Sequence, residues 1–154
     1  SFDRIWRYIK GRHMFFPRHT AGPSGRYEIV ENTPRFKRQF RKVYADFVRS
    51  ARQRVWISSA YFIPSILFLR RLTERARHGV DVRILVSKKS DVPAARWASR
   101  AVYGPLLKRG VRIFEHQSRF VHSKSLVVDS EGALVGAANL DRRSFLHDLE
   151  LSVI

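Results

Sequence analysis

The sequence has 154 residues, enough for one domain with a substantial core, and its 44% of hydrophobic residues excludes a disordered chain. Thirty lysines and arginines against thirteen acids give a net charge of +17, which favours a polyanionic partner, either nucleic acid or an anionic membrane surface. The absence of cysteine excludes disulfides and thiolate metal sites.

Residues 1–25 are predicted to be a linker or a short amphipathic segment, because they mix aromatic and basic side chains and then become rich in proline and glycine. Residues 26–30 alternate weakly and predict an edge strand. Thr33 and Pro34 suit the N-cap and the first position of a helix. Apolar residues then recur at helical spacing and predict a core-facing helix: Phe36, Phe40, Val43, Tyr44, Phe47, Val48 and Ala51.

Strands and helices alternate in the middle of the chain. Strands are predicted at residues 54–59, 80–86 and 111–115, with helices at 65–78 and at about 93–108, the latter disturbed near Gly104 and Pro105. This β-α-β-α-β order predicts parallel strands with right-handed crossovers. A hairpin at 125–135 and a last strand at 149–154 extend the sheet. The predicted class is therefore α/β, a layered domain over residues 26–154 with a mixed, mostly parallel sheet flanked by helices.

The candidate functional residues lie between Phe120 and Glu150. His122 and Lys124 are two residues apart, so on an extended chain both side chains point to one face. An imidazole beside a fixed positive charge suits attack at, or proton transfer near, a phosphate. Asn139 adds an amide donor, and Glu150 is a carboxylate that can orient a histidine. The alternative is a β-meander with an unrelated surface histidine and lysine.

This stretch resembles the signature of the phospholipase D superfamily, in which His-x-Lys, four residues and Asp are followed by six residues and Gly-Ser-x-Asn. Here the corresponding residues are His122-Ser123-Lys124, Asp129 and Gly136-Ala137-Ala138-Asn139, with Ala137 in the usual serine position. Other segments resemble the carboxyl-terminal half of bacterial cardiolipin synthases, although Ala60 and Asp148 replace the usual Pro and Asn. These segments are Tyr61-Phe62-Ile63-Pro64, Lys89-Ser90-Asp91, Arg96-Trp97-Ala98-Ser99, Gly110-Val111-Arg112-Ile113 and the run from Asn139 to Phe145.

The resemblance implies phosphodiester transfer on phospholipids through a phosphohistidine, without a metal or other cofactor. It implies catalytic roles for His122, Lys124, Asn139 and Glu150, substrate contacts for Tyr61 and Ser144, and structural roles for Asp129 and Gly136. The implied partner is an anionic phospholipid such as phosphatidylglycerol. The implied location is the cytoplasmic face of the bacterial inner membrane, with the domain bound peripherally.

The chemistry of this superfamily uses two His-x-Lys motifs, and this sequence contains one. We therefore expect the chain to be one half of a longer protein, or half of a homodimer, and its stop at Ile154 inside an apolar strand favours the former. A phospholipase D-type hydrolase and a nuclease acting on DNA or RNA are alternatives, since the charge of +17 suits nucleic acid as well as lipid. A non-enzymatic domain that binds anionic surfaces is a further alternative.

Overall fold

The computed structural model describes residues 20–21, 28–33, 37–118, 120–130 and 132–154, and the start of the first predicted helix, at Pro34 to Phe36, lies outside them. The strands are β1 (Thr20–Ala21), β2 (Glu28–Asn32), β3 (Arg54–Ser58), β4 (Phe62–Ile63), β5 (Asp81–Ser87), β6 (Arg112–His116), β7 (Ser125–Val128), β8 (Gly132–Gly136), β9 (Leu140–Asp141) and β10 (Glu150–Val153). The described helices are α1 (Lys37–Ser50), α2 (Ile66–Arg77), α3 (Pro93–Ala101), α4 (Tyr103–Leu107) and α5 (Arg142–Leu146).

The strands form one mixed sheet in the order β1-β2-β10-β8-β7-β3-β5-β6, together with a separate two-stranded sheet of β4 and β9. Strands β3, β5 and β6 run parallel, as the alternation of strands and helices predicts. Strand β7 pairs antiparallel with both β3 and β8, so the predicted hairpin does extend the sheet. The predicted α/β class with a mixed sheet flanked by helices is therefore confirmed. The expectation of a mostly parallel sheet is wrong, because five of the seven neighbouring pairs among the described strands of the main sheet are antiparallel. Helical crossovers, which parallel neighbours need, join only β3 to β5 and β5 to β6 in the described part of the chain.

The helices form where their apolar spacing and end signals predict. In α1, Phe40, Tyr44 and Val48 are buried against the core, which confirms the predicted apolar face of this helix. The hydroxyl of Ser65 caps α2 by accepting from Phe68 N at 3.4 Å. Just after the end of α2, Gly79 adopts a φ of 83°, a conformation that side chains with a Cβ rarely take.

The third predicted helix is divided into α3 and α4 at Val102. Pro105 lacks an amide hydrogen, and its ring clashes with the carbonyl group four residues earlier, at Ala101, in a continuous helix. The break at the end of α3 is thus the disturbance expected near Gly104 and Pro105, placed one turn earlier.

The amino-terminal part differs from expectation. Strand β1 lies within residues predicted as a loop and before the predicted domain start at residue 26. Strand β2, predicted to be an edge strand, pairs with β1 on one side and β10 on the other. The second difference arises because β10 is separated from β2 by more than a hundred residues, and local periodicity cannot indicate such a pairing. The first arises because β1 has two residues, too few to show a strand period.

Candidate functional site

Four of the candidate residues lie at one edge of the main sheet: His122, Lys124, Gly136 and Glu150. This edge holds the carboxyl ends of the parallel strands β3 and β5. Because β7 is antiparallel to β3, with Ser125 opposite Ser58, its amino end lies at the same edge, directly after Lys124. Strand β8 ends there at Gly136 and β10 begins there at Glu150. Open α/β sheets bind ligands at such strand ends.

His122 and Lys124 contact each other at this edge. Lys124 Nζ lies 2.9 Å from both Nδ1 and Nε2 of His122 and donates to the His122 carbonyl oxygen at 2.8 Å. His122 is exposed, whereas Lys124 is partly buried. Loss of solvent lowers the pKa of Lys124, and the negative charge of Glu150 opposes that shift. The pair therefore presents an accessible imidazole beside a cation that Glu150 helps to keep charged.

Glu150 lies in a buried position at the start of β10, where it is 8% exposed. Burial raises its pKa and the charges of Asp148 and Asp141 act in the same direction, while a hydrogen bond from Ser144 and the charge of Lys124 lower it. Within the described part of the chain, Glu150 interacts with Lys124 and makes no hydrogen bond with His122. Its expected effect on a histidine stays a prediction.

Asn139 is held by the segment that follows β8. The backbone N–H of Asn139 donates to Ser144 Oγ at 3.2 Å, and Ser144 N in turn donates to Asp141 Oδ1 at 2.7 Å. Asn139 Oδ1 is buried and has no hydrogen-bond partner within the described residues. Ser144 is only 2% exposed and its hydroxyl group also bonds to Glu150. Ser144 thus connects Asn139 to Glu150, and its expected contact with substrate stays a prediction.

Gly136 lies where β8 and β10 come into close contact. A Cβ on Gly136 would lie 2.2 Å from Ser152 Oγ and 2.4 Å from the Leu151 carbonyl oxygen. The next residue, Ala137, donates its N–H to that same carbonyl at 2.9 Å, and its side chain is exposed. A glycine at position 136 is therefore required by packing, and Ala137 is joined to β10 through its backbone N–H.

Asp129 fixes the far end of the hairpin rather than the sheet edge that carries His122. Its carboxylate accepts from the backbone N–H groups of Arg52, Gln53 and Arg54 at 2.8–2.9 Å, and its own φ is 53°. Burial acts to raise the pKa of Asp129, but these three donors lower it overall. The residue ties the turn after β7 to the loop before β3.

Tyr61 is brought to the site by the small sheet. In the parallel pair of β4 and β9, Phe62 lies opposite Leu140, which brings Tyr61 level with Asn139. The Tyr61 ring centroid is 6.0 Å from that of Phe120, which is 5.7 Å from that of His122. The Tyr61 hydroxyl donates to Asp91, and this hydrogen bond raises the pKa of Tyr61 to about 12. Tyr61 therefore reaches the motif histidine through Phe120.

Two residues near the site were not predicted from the sequence, Asn32 and Phe120. Asn32 is fully buried and its Nδ2 donates to the carbonyl oxygens of Ser144 and Asp148, so it holds the segment before Glu150. Phe120 forms the aromatic contact between Tyr61 and His122. Asn32 could have been noticed as a polar residue at the end of an otherwise ordinary strand. The role of Phe120 depends on tertiary contacts alone, so no signal in the sequence indicated it.

Other surface features lie away from the motif. A groove of about 640 Å³ between α2 and the α3–α4 pair contains none of the motif residues, so we identify the site by its chemistry and not by this concavity. Within the described ranges, no cluster of three or more His, Cys, Asp or Glu side chains has the arrangement needed to hold a metal ion. No described helix combines the length and the hydrophobicity needed to cross a bilayer.

Comparison with known proteins gives one consistent result. The sequence matches the family described as "Cardiolipin synthase, PLD-like domain" over residues 44–154. It is 34% identical over 158 residues to a cardiolipin synthase of Geobacillus thermodenitrificans, covering 98% of this chain and 32% of that protein. It is 37% identical over 146 residues to the enzyme of that name from Staphylococcus aureus, covering 94% of this chain and 30% of the relative. The chain thus spans about a third of the length of these relatives.

Among solved structures, the fold is similar to that of a phospholipase D family member, Nuc from Salmonella typhimurium. The TM-score is 0.69 at 19% sequence identity, and the match covers 82% of this chain and 81% of that one. At this identity the likeness concerns the fold.

Proposed function

This chain belongs to the phospholipase D-like domain family of cardiolipin synthases, and on that premise we propose that it supplies one half of an active site that transfers a phosphatidyl group between phospholipids. The observation that carries the proposal is the contact between His122 and Lys124 at the sheet edge, with Glu150 acting on the lysine. A histidine of this kind can exchange a proton or bond to phosphorus, while the ammonium group stabilises charge on the phosphoryl oxygens.

The reaction proceeds in two steps. One histidine attacks phosphorus and forms a P–N bond, and the lipid alkoxide leaves with a proton from a second histidine. That second histidine then takes the proton from an acceptor hydroxyl, which attacks phosphorus and releases the first histidine. We assign His122 to the acid–base role. Lys124 and the amide of Asn139 hold phosphoryl oxygens, and Glu150 maintains the charge of Lys124.

The other histidine comes from outside this sequence, which has one His-x-Lys motif. An amino-terminal half in the same longer polypeptide is the arrangement we favour, and a second copy across a two-fold axis is the alternative. Supporting the first, the chain matches only about a third of the length of its relatives. We further propose residues 26–154, extended by strand β1, as the catalytic half, and the residues before β1 as a linker or an amphipathic segment.

The substrate we propose is an anionic phospholipid of the phosphatidylglycerol type. The charge of +17 draws the domain to a bilayer rich in such lipids, where each Lys or Arg near the surface contributes about 1 kcal/mol. We therefore expect peripheral binding at the cytoplasmic face of the bacterial inner membrane. Direct contacts of Tyr61 and Ser144 with substrate belong to this proposal.

The test uses the longer two-motif protein and vesicles containing phosphatidylglycerol, with products separated by mass spectrometry. Wild type should form cardiolipin, and His122→Ala should lower the rate by about a thousandfold or more, because general acid–base catalysis contributes on that scale. Lys124→Ala should lower it by about a hundredfold or more, because a group that stabilises charge on the phosphoryl oxygens is lost. His78→Ala is a matched control, since this exposed histidine follows α2, bonds to the Glu74 carbonyl oxygen of that helix and lies away from the motif residues. It should leave the rate unchanged.

Three outcomes would contradict the proposal. Phosphatidic acid as the sole product would indicate a hydrolase that uses water as acceptor. Metal-independent cleavage of DNA with no lipid product would indicate a nuclease, which the basic charge also suits. An unchanged rate in His122→Ala would show that His122 takes no part in the reaction.

A further inference from the structure

A second cationic site lies beside the motif, in a cavity of about 490 Å³ between the loop after β5 and the body of α3. Its lining consists of five residues, Lys88, Lys89, Ser90, Arg96 and Gln117, and we call it the second anion pocket. Three of the five are cationic and none is acidic. A cavity of this composition favours a negatively charged ligand.

The groups that line the pocket are held in place, yet part of their hydrogen-bonding capacity is unused. Lys88 Nζ donates to Gln117 Oε1 at 2.7 Å, and the Ser90 hydroxyl bonds to both backbone groups of Val92 at 3.0–3.1 Å. The Nε atom of Arg96 is buried and has no hydrogen-bond partner within the described residues. Because this atom is closed to solvent, an oxyanion in the pocket would bind the terminal amino groups of Arg96 and the ammonium groups of Lys88 and Lys89.

The pocket is joined to the motif through a short chain of hydrogen bonds. Ser87, the last residue of β5, accepts from Val121 N at 2.6 Å and donates to the Val121 carbonyl oxygen at 3.3 Å. Its neighbour Lys88 lines the pocket, and Val121 precedes His122. Asp91, which follows Ser90 in the sequence, accepts from the Tyr61 hydroxyl near the motif and does not line the pocket. The two sites therefore lie next to each other on one sheet edge.

Apolar side chains adjoin the pocket in the sequence. Val92, which the Ser90 hydroxyl contacts, is 45% exposed, and Trp97, next to Arg96, is 76% exposed. A phospholipid combines a phosphodiester with an apolar body that can contact exposed Val and Trp side chains. Inorganic phosphate has no apolar part to make such a contact. Val92 and Trp97 do not line the pocket, but they lie at the start of α3 and within it, the helix that contributes Arg96. A cationic lining with exposed apolar side chains on the same helix favours a lipid phosphate as the occupant.

We propose that the second anion pocket binds the phosphodiester of a second anionic phospholipid, the one that accepts the phosphatidyl group. This inference rests on the proposed function and adds a place for the acceptor. A lipid held there by its phosphate leaves its glycerol head group free to reach toward His122. Holding both lipids in position would favour transfer to the head-group hydroxyl over transfer to water.

Binding is measured by calorimetry in the longer two-motif protein, in a His122→Ala background so that no turnover occurs. The probes are soluble dihexanoylphosphatidylglycerol, inorganic phosphate and a short single-stranded oligothymidylate. Lys89→Gln with Arg96→Gln should weaken binding of the lipid probe by about tenfold or more, because hydrogen bonds to charged groups are lost. The control variant is Arg52→Gln with Lys108→Gln, which removes the same charge from exposed positions outside the pocket. It should change the affinity for the lipid probe by less than about twofold.

Equal weakening by both pairs of substitutions would overturn the proposal, because only general charge would then matter. So would an effect confined to inorganic phosphate, which indicates a free-phosphate site, or to the oligonucleotide, which indicates nucleic acid. If the double variant fails to fold, the single variant Lys89→Gln replaces it in the binding measurement, because Lys89 is exposed and its substitution disturbs no packing.

Turnover then separates this proposal from the proposed function. With His122 intact, the pocket variant should lower the ratio of cardiolipin to phosphatidic acid, and the control pair should not. An unchanged ratio would overturn the acceptor assignment while transfer itself stands. If wild type formed no lipid product, the proposed function would fail, although the binding result would still report whether the pocket takes the lipid phosphate.

Discussion

Replacing Gly136 by alanine tests whether the contact between β8 and β10 supports the site. The added Cβ would lie 2.2 Å from Ser152 Oγ, 2.4 Å from the Leu151 carbonyl oxygen and 2.7 Å from Ser152 Cα. Two of these atoms belong to the backbone, so a change of rotamer cannot relieve the overlap and β10 must move. Overpacking of this kind costs about 2–3 kcal/mol, which corresponds to a fall in Tm of about 4–12 °C for a chain of this size.

Thermal unfolding followed by circular dichroism measures the effect. Gly104→Ala is the matched control, because a Cβ on Gly104 meets nothing within 4 Å and the residue lies in α4. That change should leave Tm unchanged or raise it slightly, since alanine favours helix by up to about 1 kcal/mol over glycine. In the two-motif protein, Gly136→Ala should also lower activity below its Tm, because β10 carries Glu150. A Tm within about 1 °C of wild type would refute the packing argument.

Three further predictions concern charge and assembly. Asp129→Asn should lower Tm at pH 7, and the difference from wild type should shrink toward pH 3, because the folded pKa of Asp129 lies below its unfolded value and its contribution is lost on acidification. Glu150→Gln should gain stability relative to wild type between pH 4 and pH 7, since burial raises the pKa of Glu150 and ionisation then opposes folding; a constant difference in Tm would contradict this. The isolated 154-residue chain should show no turnover of phosphatidylglycerol as a monomer; activity proportional to concentration, where sedimentation detects monomer alone, would contradict the need for a second histidine.

The parallel half of the fold was predictable because its signals are local. The apolar spacing of α1 and the alternation of strands and helices from β3 to β6 each arise from neighbouring residues. The proline that divides α3 from α4 also acts over four residues, so the sequence pointed to the disturbance. By contrast, the pair β4–β9 joins residues 62–63 to 140–141, and two-residue strands carry no period of their own.

The candidate site also has one part that the sequence predicted and one part that it could not predict. The spacing of His122 and Lys124 was enough to predict that they share one face, and they do contact each other. The bracing of the site was not predictable, because Ser144, Asn32 and Phe120 act through partners distant in sequence. The burial of Ser144 illustrates the limit, since its polar side chain gave no indication that it would lie between a backbone amide and Glu150.

The position of β10 has a consequence for the order in which this domain is made. Strand β10 pairs with both β2 and β8, although it follows every other described strand in the sequence. Until residues 150–153 have emerged from the ribosome, β2 can pair with β1 alone and β8 presents an open edge. Such distant pairings form slowly. Glu150 reaches Lys124 with the arrival of this strand, so the arrangement of charged groups at the sheet edge forms only when the sheet itself becomes continuous.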